Sequence, residues 1–297
     1  MLNNSTKSHY KFSVITPTYN RGAYLRQIYE CLIQQSEKDF EWIIVDDGST
    51  DETKYIIDQF NKDIEIKYIY QENAGKPSAV NKGVQLADSL ISVILDSDDI
   101  LLPDILEIVY GYYSSTGFEG CASVSGLSID RNGEIVGDKF PQDYFVSDHI
   151  TCWRNMRGDK CDFFLTAILK QYLFPIFNNE RFITETVVWN RMAMDYKTLY
   201  VNKIFLIKEY LEGGLSSKNN TLFIDNPLGT ELYYNESSIN RFRFKQQIIH
   251  SARYIKFAKI NHKNNIFGHA KNKIIFPIGL IVYYLRSIIY FVLKKEI

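Results

Sequence analysis

The sequence predicts an α/β fold on a mostly parallel sheet, and two observations predict it. Apolar, β-branched runs recur near residues 13–16, 41–45, 64–70 and 90–95, each separated from the next by about one helix of sequence. The segments between them read as helices. Leu25, Ile28, Tyr29 and Leu32 stand at helical spacing over about 23–34. Ser49 with Glu52 three residues on has the spacing of a capping box at the start of a second helix, and a third is expected over about 78–87. A parallel sheet built this way takes its ligand beyond the carboxyl ends of its strands. The polar clusters that follow each strand are therefore where chemistry is expected.

The rest of the chain follows in two parts. Pro103 marks a helix start, and residues 101–215 read as the second half of the domain that residues 1–100 begin. The polar stretch 216–220, after Gly213 and Gly214, is the expected linker, and residues 216–297 read as a basic helical region. Charge divides at the same place. Residues 241–297 hold 12 of the 34 Lys and Arg but only one of the 35 Asp and Glu, a formal +11, which leaves −12 on residues 1–240. The net charge of −1 thus describes neither part. It also argues against a general nucleic-acid binder, and no nucleic-acid motif accompanies the basic region.

Cys31, Cys121, Cys152 and Cys161 form no CxxC pair and match no His spacing, so zinc and redox motifs are unsupported and reduced thiols are expected. The first twelve residues carry no apolar signal region, which predicts a cytoplasmic chain.

Four clusters carry the candidate chemistry. Asp96-Ser97-Asp98-Asp99 follows an apolar run, and three carboxylates so close repel one another unless a cation is present. Hard divalent ions take oxygen ligands of this kind, so the cluster reads as a metal-diphosphate site or as an acidic turn capping the next helix. Asp46-Asp47-Gly48-Ser49-Thr50-Asp51 also ends a strand. Asp47 there could accept from a nucleobase imide N–H, or the stretch could be a capped turn. Thr16-Pro17-Thr18-Tyr19-Asn20-Arg21-Gly22 stands where a dinucleotide fold would show G-x-G-x-x-G, which removes most support for hydride transfer. Tyr19 offers a face for a base. The loop from Asn73 to Gly83 contains Gly75 and Lys76 at a helix start but lacks P-loop spacing, leaving Lys76 to face a phosphate or solvent.

The order of these clusters resembles the family 2 glycosyltransferases with the GT-A fold, over about residues 10–215. The resemblance implies that Asp47 holds uracil, that Tyr19 lies against the base beside Thr16, and that Asp96 and Asp98 hold the ribose and a Mn²⁺ or Mg²⁺ ion on the diphosphate. Asp98 is the implied metal ligand, and Asp99 extends the run. The family's usual A-R-N reads Ala79-Val80-Asn81 here, so its Arg is absent and Lys76 is the candidate replacement. Inverting members carry an E-D pair with Trp four and Arg six residues after the Asp. Trp189 and Arg191 stand at those offsets from Glu185, which aligns with the catalytic base, while Thr184 replaces the preceding Glu. His149 and His250 have no partner spacing and read as structural.

The resemblance implies an inverting, metal-dependent hexosyltransferase using a UDP-sugar, with UDP-glucose and a β-linkage as the specific expectation. The implied acceptor is a saccharide on an undecaprenyl diphosphate carrier, in O-antigen or other surface-polysaccharide synthesis. The alternative is a nucleotide-sugar-binding or scaffold protein of the same fold. Residues 274–293 give about 20 apolar positions, but Pro277, Arg286 and Ser287 interrupt them. An interfacial helix with basic flanks fits better than a span, the alternative being a helix packed on the catalytic domain with its lysines solvated, and the interfacial reading predicts a peripheral protein on the cytoplasmic face of the bacterial inner membrane.

Overall fold

The computed structural model describes residues 8–61, 63–116, 120–154, 156–209, 219–239 and 241–293. They form two compact units. The first comprises described residues within Met1–Phe174 and Arg191–Gly214, the second those within Pro175–Asn190 and Leu215–Ile297.

In the first unit the chain runs β1 (Tyr10–Thr18), α1 (Gly22–Ile33), β2 (Phe40–Asp46), α2 (Thr53–Asp58), β3 (Glu65–Tyr70), α3 (Lys76–Leu86) and β4 (Ser89–Ile94). It continues through β5 (Asp99–Leu101), α4 (Ile105–Thr116), β6 (Cys121–Ile129), β7 (Tyr144–Ser147), α5 (His149–Trp153), β8 (Lys160–Leu165) and α6 (Thr166–Leu169). Helix α7 (Thr186–Asp195) begins in the second unit and ends in the first, where β9 (Lys197–Lys208) completes the sheet.

The sheet order is β3-β2-β1-β4-β8-β6-β9-β5, with β7 paired to β9. β1 pairs in parallel with both β2 and β4, and β2 with β3. The expected parallel arrangement therefore holds over the first hundred residues. Beyond β4 the sheet is mixed, because β8 enters antiparallel between β4 and β6. The chain steps outward from β1 to β3 and then returns to β4 on the other side of β1. That reversal is a topological switch point, where a crevice opens beyond the carboxyl ends of β1 and β4.

Burial explains these strands. All seven residues of β2 are buried, as helices cover both faces of a parallel sheet. Edge strand β3 is half-exposed and carries Glu65 and Lys67. Buried Glu41 on β2 is compensated by the Ser13 hydroxyl at 2.6 Å, the Asp88 N–H at 2.8 Å and Lys67 at 2.5 Å. Helix α3 packs on β1 through Gly83, where a Cβ would lie 2.3 Å from Ile15 Cγ2.

Helices α1 and α3 stand within two residues of their expected starts. Leu25, Ile28 and Leu32 are buried, and Tyr29 stacks on Phe60 at 4.5 Å between ring centroids. The second helix differs from expectation. No capping box forms, because the Ser49 hydroxyl instead accepts the Asn20 N–H at 2.8 Å. Asp51, closer to the first turn, takes the Thr53 N–H at 3.0 Å. All four cysteines are free and buried.

The second unit is helical: α8 (Asn219–Asp225), α9 (Pro227–Glu236), α10 (Phe244–Ile260), α11 (Ile266–His269) and α12 (Phe276–Leu293). Tyr234, Tyr254, Ile255, Phe257, Ala258, Ala270 and Phe276 form its core. Segment 175–190 is tied to these helices by polar contacts. Glu180 accepts the free N–H groups of Leu228 and Gly229 at the start of α9, and Asn226 Oδ1 accepts those of Arg181 and Phe182. Of the expected linker, residues 216–218 lie outside the described residues, and Asn219 and Asn220 open α8. Among the described residues, no helix is long and apolar enough to cross a membrane.

Candidate active site

Four loops meet at the carboxyl end of the parallel half of the sheet. The first two are clipped together. Asn20, in the left-handed region at φ 52°, offers its N–H to Ser49 and accepts the Thr50 N–H at 2.8 Å, while Gly22 N–H reaches Asp51 at 3.3 Å. Gly48, at φ 88°, sits so close to Asn73 that a Cβ would fall 2.8 Å from its amide nitrogen.

Asp47 joins the second loop to the third. It is buried, and its Oδ1 accepts from Gln71 Nε2 at 2.7 Å and Ala74 N–H at 2.9 Å, while Oδ2 accepts the Gly75 N–H at 2.8 Å. A carboxylate has about four acceptor sites, so Oδ2 keeps one lone pair in hand. Asp47→Asn replaces one of these acceptors with an NH₂ that faces backbone donors. It is expected to cost about 1–3 kcal/mol of stability in urea unfolding, and to loosen the loop carrying Lys76.

Gly75, at φ 91°, starts α3 two residues earlier than the sequence predicts, which places Lys76 in its first turn. Lys76 Nζ then reaches Asp96 at 2.7 Å. Asp98 lies 3.7 Å from Arg21, and Lys208 lies 3.3 Å from Asp99 and 3.6 Å from Asp159. The three carboxylates of residues 96–99 thus face three cations, one of which also meets Asp159. Burial opposes the charge of Asp96, but Lys76, Lys208 and Arg21 hold it below the usual carboxylate range. Burial and the charge of Asp96 push Asp98 up. Burial, with Asp96 and Asp98 beside it, pushes Asp99 up to about 7 against the pull of Lys208. Its Oδ1 is buried without a hydrogen-bond partner. Burial also disfavours the charge of Lys208, yet Asp99, Asp96 and Asp159 hold it well above the ordinary lysine range.

Among the described residues, no group of three or more His, Cys, Asp or Glu is arranged to hold a metal ion. A diphosphate-bound Mg²⁺ or Mn²⁺ needs less, since such ions take one or two carboxylates and complete their shell with phosphate oxygens and water. Asp98 fits that role. Its side chain is 23% exposed, it is only distantly paired, and its charge is disfavoured by Asp96. A divalent ion arriving with a doubly charged diphosphate would leave the balance of the site unchanged.

Of the expected site residues, Asp47, Lys76, Asp96, Asp98 and Asp99 come together, and Tyr19 stands at the rim, 48% exposed. Thr16 does not join them. It is fully buried, and its hydroxyl accepts the Trp42 indole N–H at 2.9 Å. Glu185 belongs to the second unit, half-buried at the start of α7, where its carbonyl accepts the Val188 and Trp189 N–H groups at 2.9 and 3.1 Å. Burial pushes His149 down to about 3, making it a poor proton acceptor, and the His250 ring bonds the Ser237 carbonyl at 2.7 Å.

Sequence reasoning missed Arg21 and Lys208. Arg21 lies within the first loop, just before α1 begins at Gly22, and its place there gave no sign that it would face Asp98. Lys208 carries no local signal, because its partner Asp99 is 109 residues away and meets it only through β5–β9 pairing.

The model of the family described as Glycosyl transferase family 2 matches residues 13–172, more than half of the chain. Glycosyltransferase GlyA of Streptococcus pneumoniae serotype 4 is 29% identical over 229 residues, 69% of this chain and 31% of GlyA. The Campylobacter jejuni GalNAc(5)-diNAcBac-PP-undecaprenol beta-1,3-glucosyltransferase is 30% identical over 205 residues, 66% of this chain and 64% of that protein. The chain therefore spans less than two thirds of the length of these relatives. Among solved structures, S. aureus TarS 1-349 in complex with UDP-GlcNAc is similar at TM-score 0.62 and 20% identity, covering 83% of this chain and 71% of that one. The mannosyltransferase PcManGT from Pyrobaculum calidifontis, in complex with GDP-Man and Mn2+, is similar at TM-score 0.51 and 17% identity, over 93% and 76%. At such identities the likeness is one of fold.

Proposed function

The chain belongs to glycosyl transferase family 2, and on that footing we propose that it is an inverting, metal-dependent hexosyltransferase. The donor is a UDP-sugar, UDP-glucose in the specific reading, and the acceptor is a saccharide on undecaprenyl diphosphate. The observation that carries this is the gathering of Asp47, Lys76, Asp96 and Asp98 at the sheet's switch point.

Each residue has a role that its surroundings permit. The spare lone pair of Asp47 takes the uracil imide N–H, and exposed Tyr19 covers the base. Asp96 accepts from the ribose, and Lys76 turns from Asp96 toward the diphosphate. Asp98 would hold Mn²⁺ or Mg²⁺, and such an ion would supply positive charge against that developing on the departing UDP. The Glu185 carboxylate takes the proton from an acceptor hydroxyl as that oxygen attacks the anomeric carbon and the bond to UDP breaks. An α-linked donor gives a β-linked product. The Glu185–Trp189–Arg191 spacing supports this assignment.

TarS, solved with UDP and with UDP-GlcNAc, supports a UDP-sugar donor. The name of the Campylobacter relative supports a lipid-linked acceptor and β-glucosyl transfer. Such an acceptor places the work at the cytoplasmic face of the inner membrane, in surface-polysaccharide synthesis, with no nucleic-acid partner. Purified protein with Mn²⁺ and a synthetic diphospho-lipid saccharide is expected to release UDP from UDP-glucose faster than from other UDP-sugars. UDP binding with no release from any donor would instead identify a non-catalytic binding protein.

A further inference from the structure

We propose that α12 lies on the surface of a membrane bearing anionic lipids, with Ile278, Ile281, Leu285 and Ile288 set into the acyl boundary. The inference rests on the lipid-linked acceptor reading for its purpose and on the second unit for its evidence.

Helix α12 is apolar on two faces, and only one is covered. Phe276 is buried in the core of the unit, and Leu280 and Tyr283 pack against it. Gly279 lets the helix approach α10 closely, since a Cβ there would fall 2.4 Å from Ser251 Oγ. On the other side Ile278, Ile281, Leu285 and Ile288 are 38%, 60%, 54% and 59% exposed. Their spacing of three and four residues aligns them in one stripe. Ile274, just before the helix, is 85% exposed. Single exposed apolar residues are ordinary, but a stripe along most of a helix marks an interaction surface.

The surrounding charge selects the partner. Described residues 241–293 carry ten Lys and Arg and neither Asp nor Glu. On α10, Lys259 donates to the Tyr284 hydroxyl at 3.0 Å and lies 4.6 and 4.5 Å from the Tyr283 and Tyr284 ring centres. Cation and phenol at the edge of an apolar stripe match the headgroup level of a bilayer. A second copy of this chain would set two such basic surfaces against each other, and a nucleic-acid duplex offers nothing to cover the isoleucines. Among the described residues no helix is long and apolar enough to cross a membrane, so α12 is placed on the surface.

The test uses the full-length protein with vesicles of phosphatidylcholine, with and without phosphatidylglycerol. Wild type is expected to sediment with the phosphatidylglycerol vesicles and to be released by high salt. Ile281→Asp combined with Leu285→Asp should lower the partition coefficient about a hundredfold, because both positions are exposed and the fold does not need them. Lys271→Ala and Lys273→Ala should each lower it about fivefold, on phosphatidylglycerol vesicles alone. Equal sedimentation of wild type and the double aspartate variant overturns the proposal. So does a change in oligomeric state of that variant in sedimentation velocity with vesicle binding unchanged, which assigns the stripe to a second copy. UDP release from UDP-glucose in the presence of a water-soluble acceptor separates this from the reaction: vesicle binding by a protein that releases no UDP retires the reaction and leaves the membrane surface standing.

Discussion

Asp98→Asn is expected to abolish the metal dependence of UDP binding and to lower turnover by about 10²–10³-fold, without loss of stability. The physical argument separates the two effects. Asp98 holds little of the fold together, since its recorded ion-pair partner is Arg21 at 3.7 Å. Burial and the neighbouring Asp96 already work against its charge. Removing that charge should leave the melting temperature unchanged or slightly higher. The charge has value only when a divalent ion and a diphosphate arrive together. Titration of UDP into wild type and variant, with and without Mn²⁺, measures this directly. A variant whose UDP affinity still rises with Mn²⁺ as in wild type would remove Asp98 as the metal ligand.

Glu185→Gln is expected to keep UDP binding within about twofold of wild type and to slow transfer by about 10²–10⁴-fold, the usual worth of a positioned general base. Glutamine preserves the shape at the start of α7, where the Glu185 carbonyl accepts two helix N–H groups and Val187 and Val188 are buried. The side-chain change removes the ability to take a proton. The expected pattern is therefore a fall in kcat with donor affinity intact, read from single-turnover UDP release beside UDP titration. Near wild-type turnover would place the base elsewhere.

The site was unevenly legible in the sequence. Asp96, Asp98 and Asp99 stood out because three carboxylates in four residues need an explanation wherever they fold. Asp47 was legible as a strand-end carboxylate, but its hold on Gln71, Ala74 and Gly75 was not, because those donors belong to the next loop. Thr16 lies in a recognisable loop motif, yet its hydroxyl faces the sheet interior and Trp42. Ser49 and Glu52 had capping spacing, but a neighbouring loop offered Ser49 an N–H and took it from the helix. Such competition between local and distant partners is invisible to spacing alone.

By itself the sequence determined whatever depends on neighbours along the chain: the strand and helix periods of the first hundred residues, the succession of four strand-end clusters, the concentration of positive charge after residue 240 and the apolar run that follows it. Only the tertiary structure decided which charges meet and which apolar faces stay uncovered. Lys208 reaches Asp99 because β5 pairs with β9, and Lys76 reaches Asp96 because Gly75 starts α3 early. One face of α12 is spent on α10 while Ile281, Leu285 and Ile288 remain outside. The physical reason is range: backbone periodicity is set within a few residues, whereas the partner of a buried charge or an apolar face is set by sheet pairing and helix packing across a hundred.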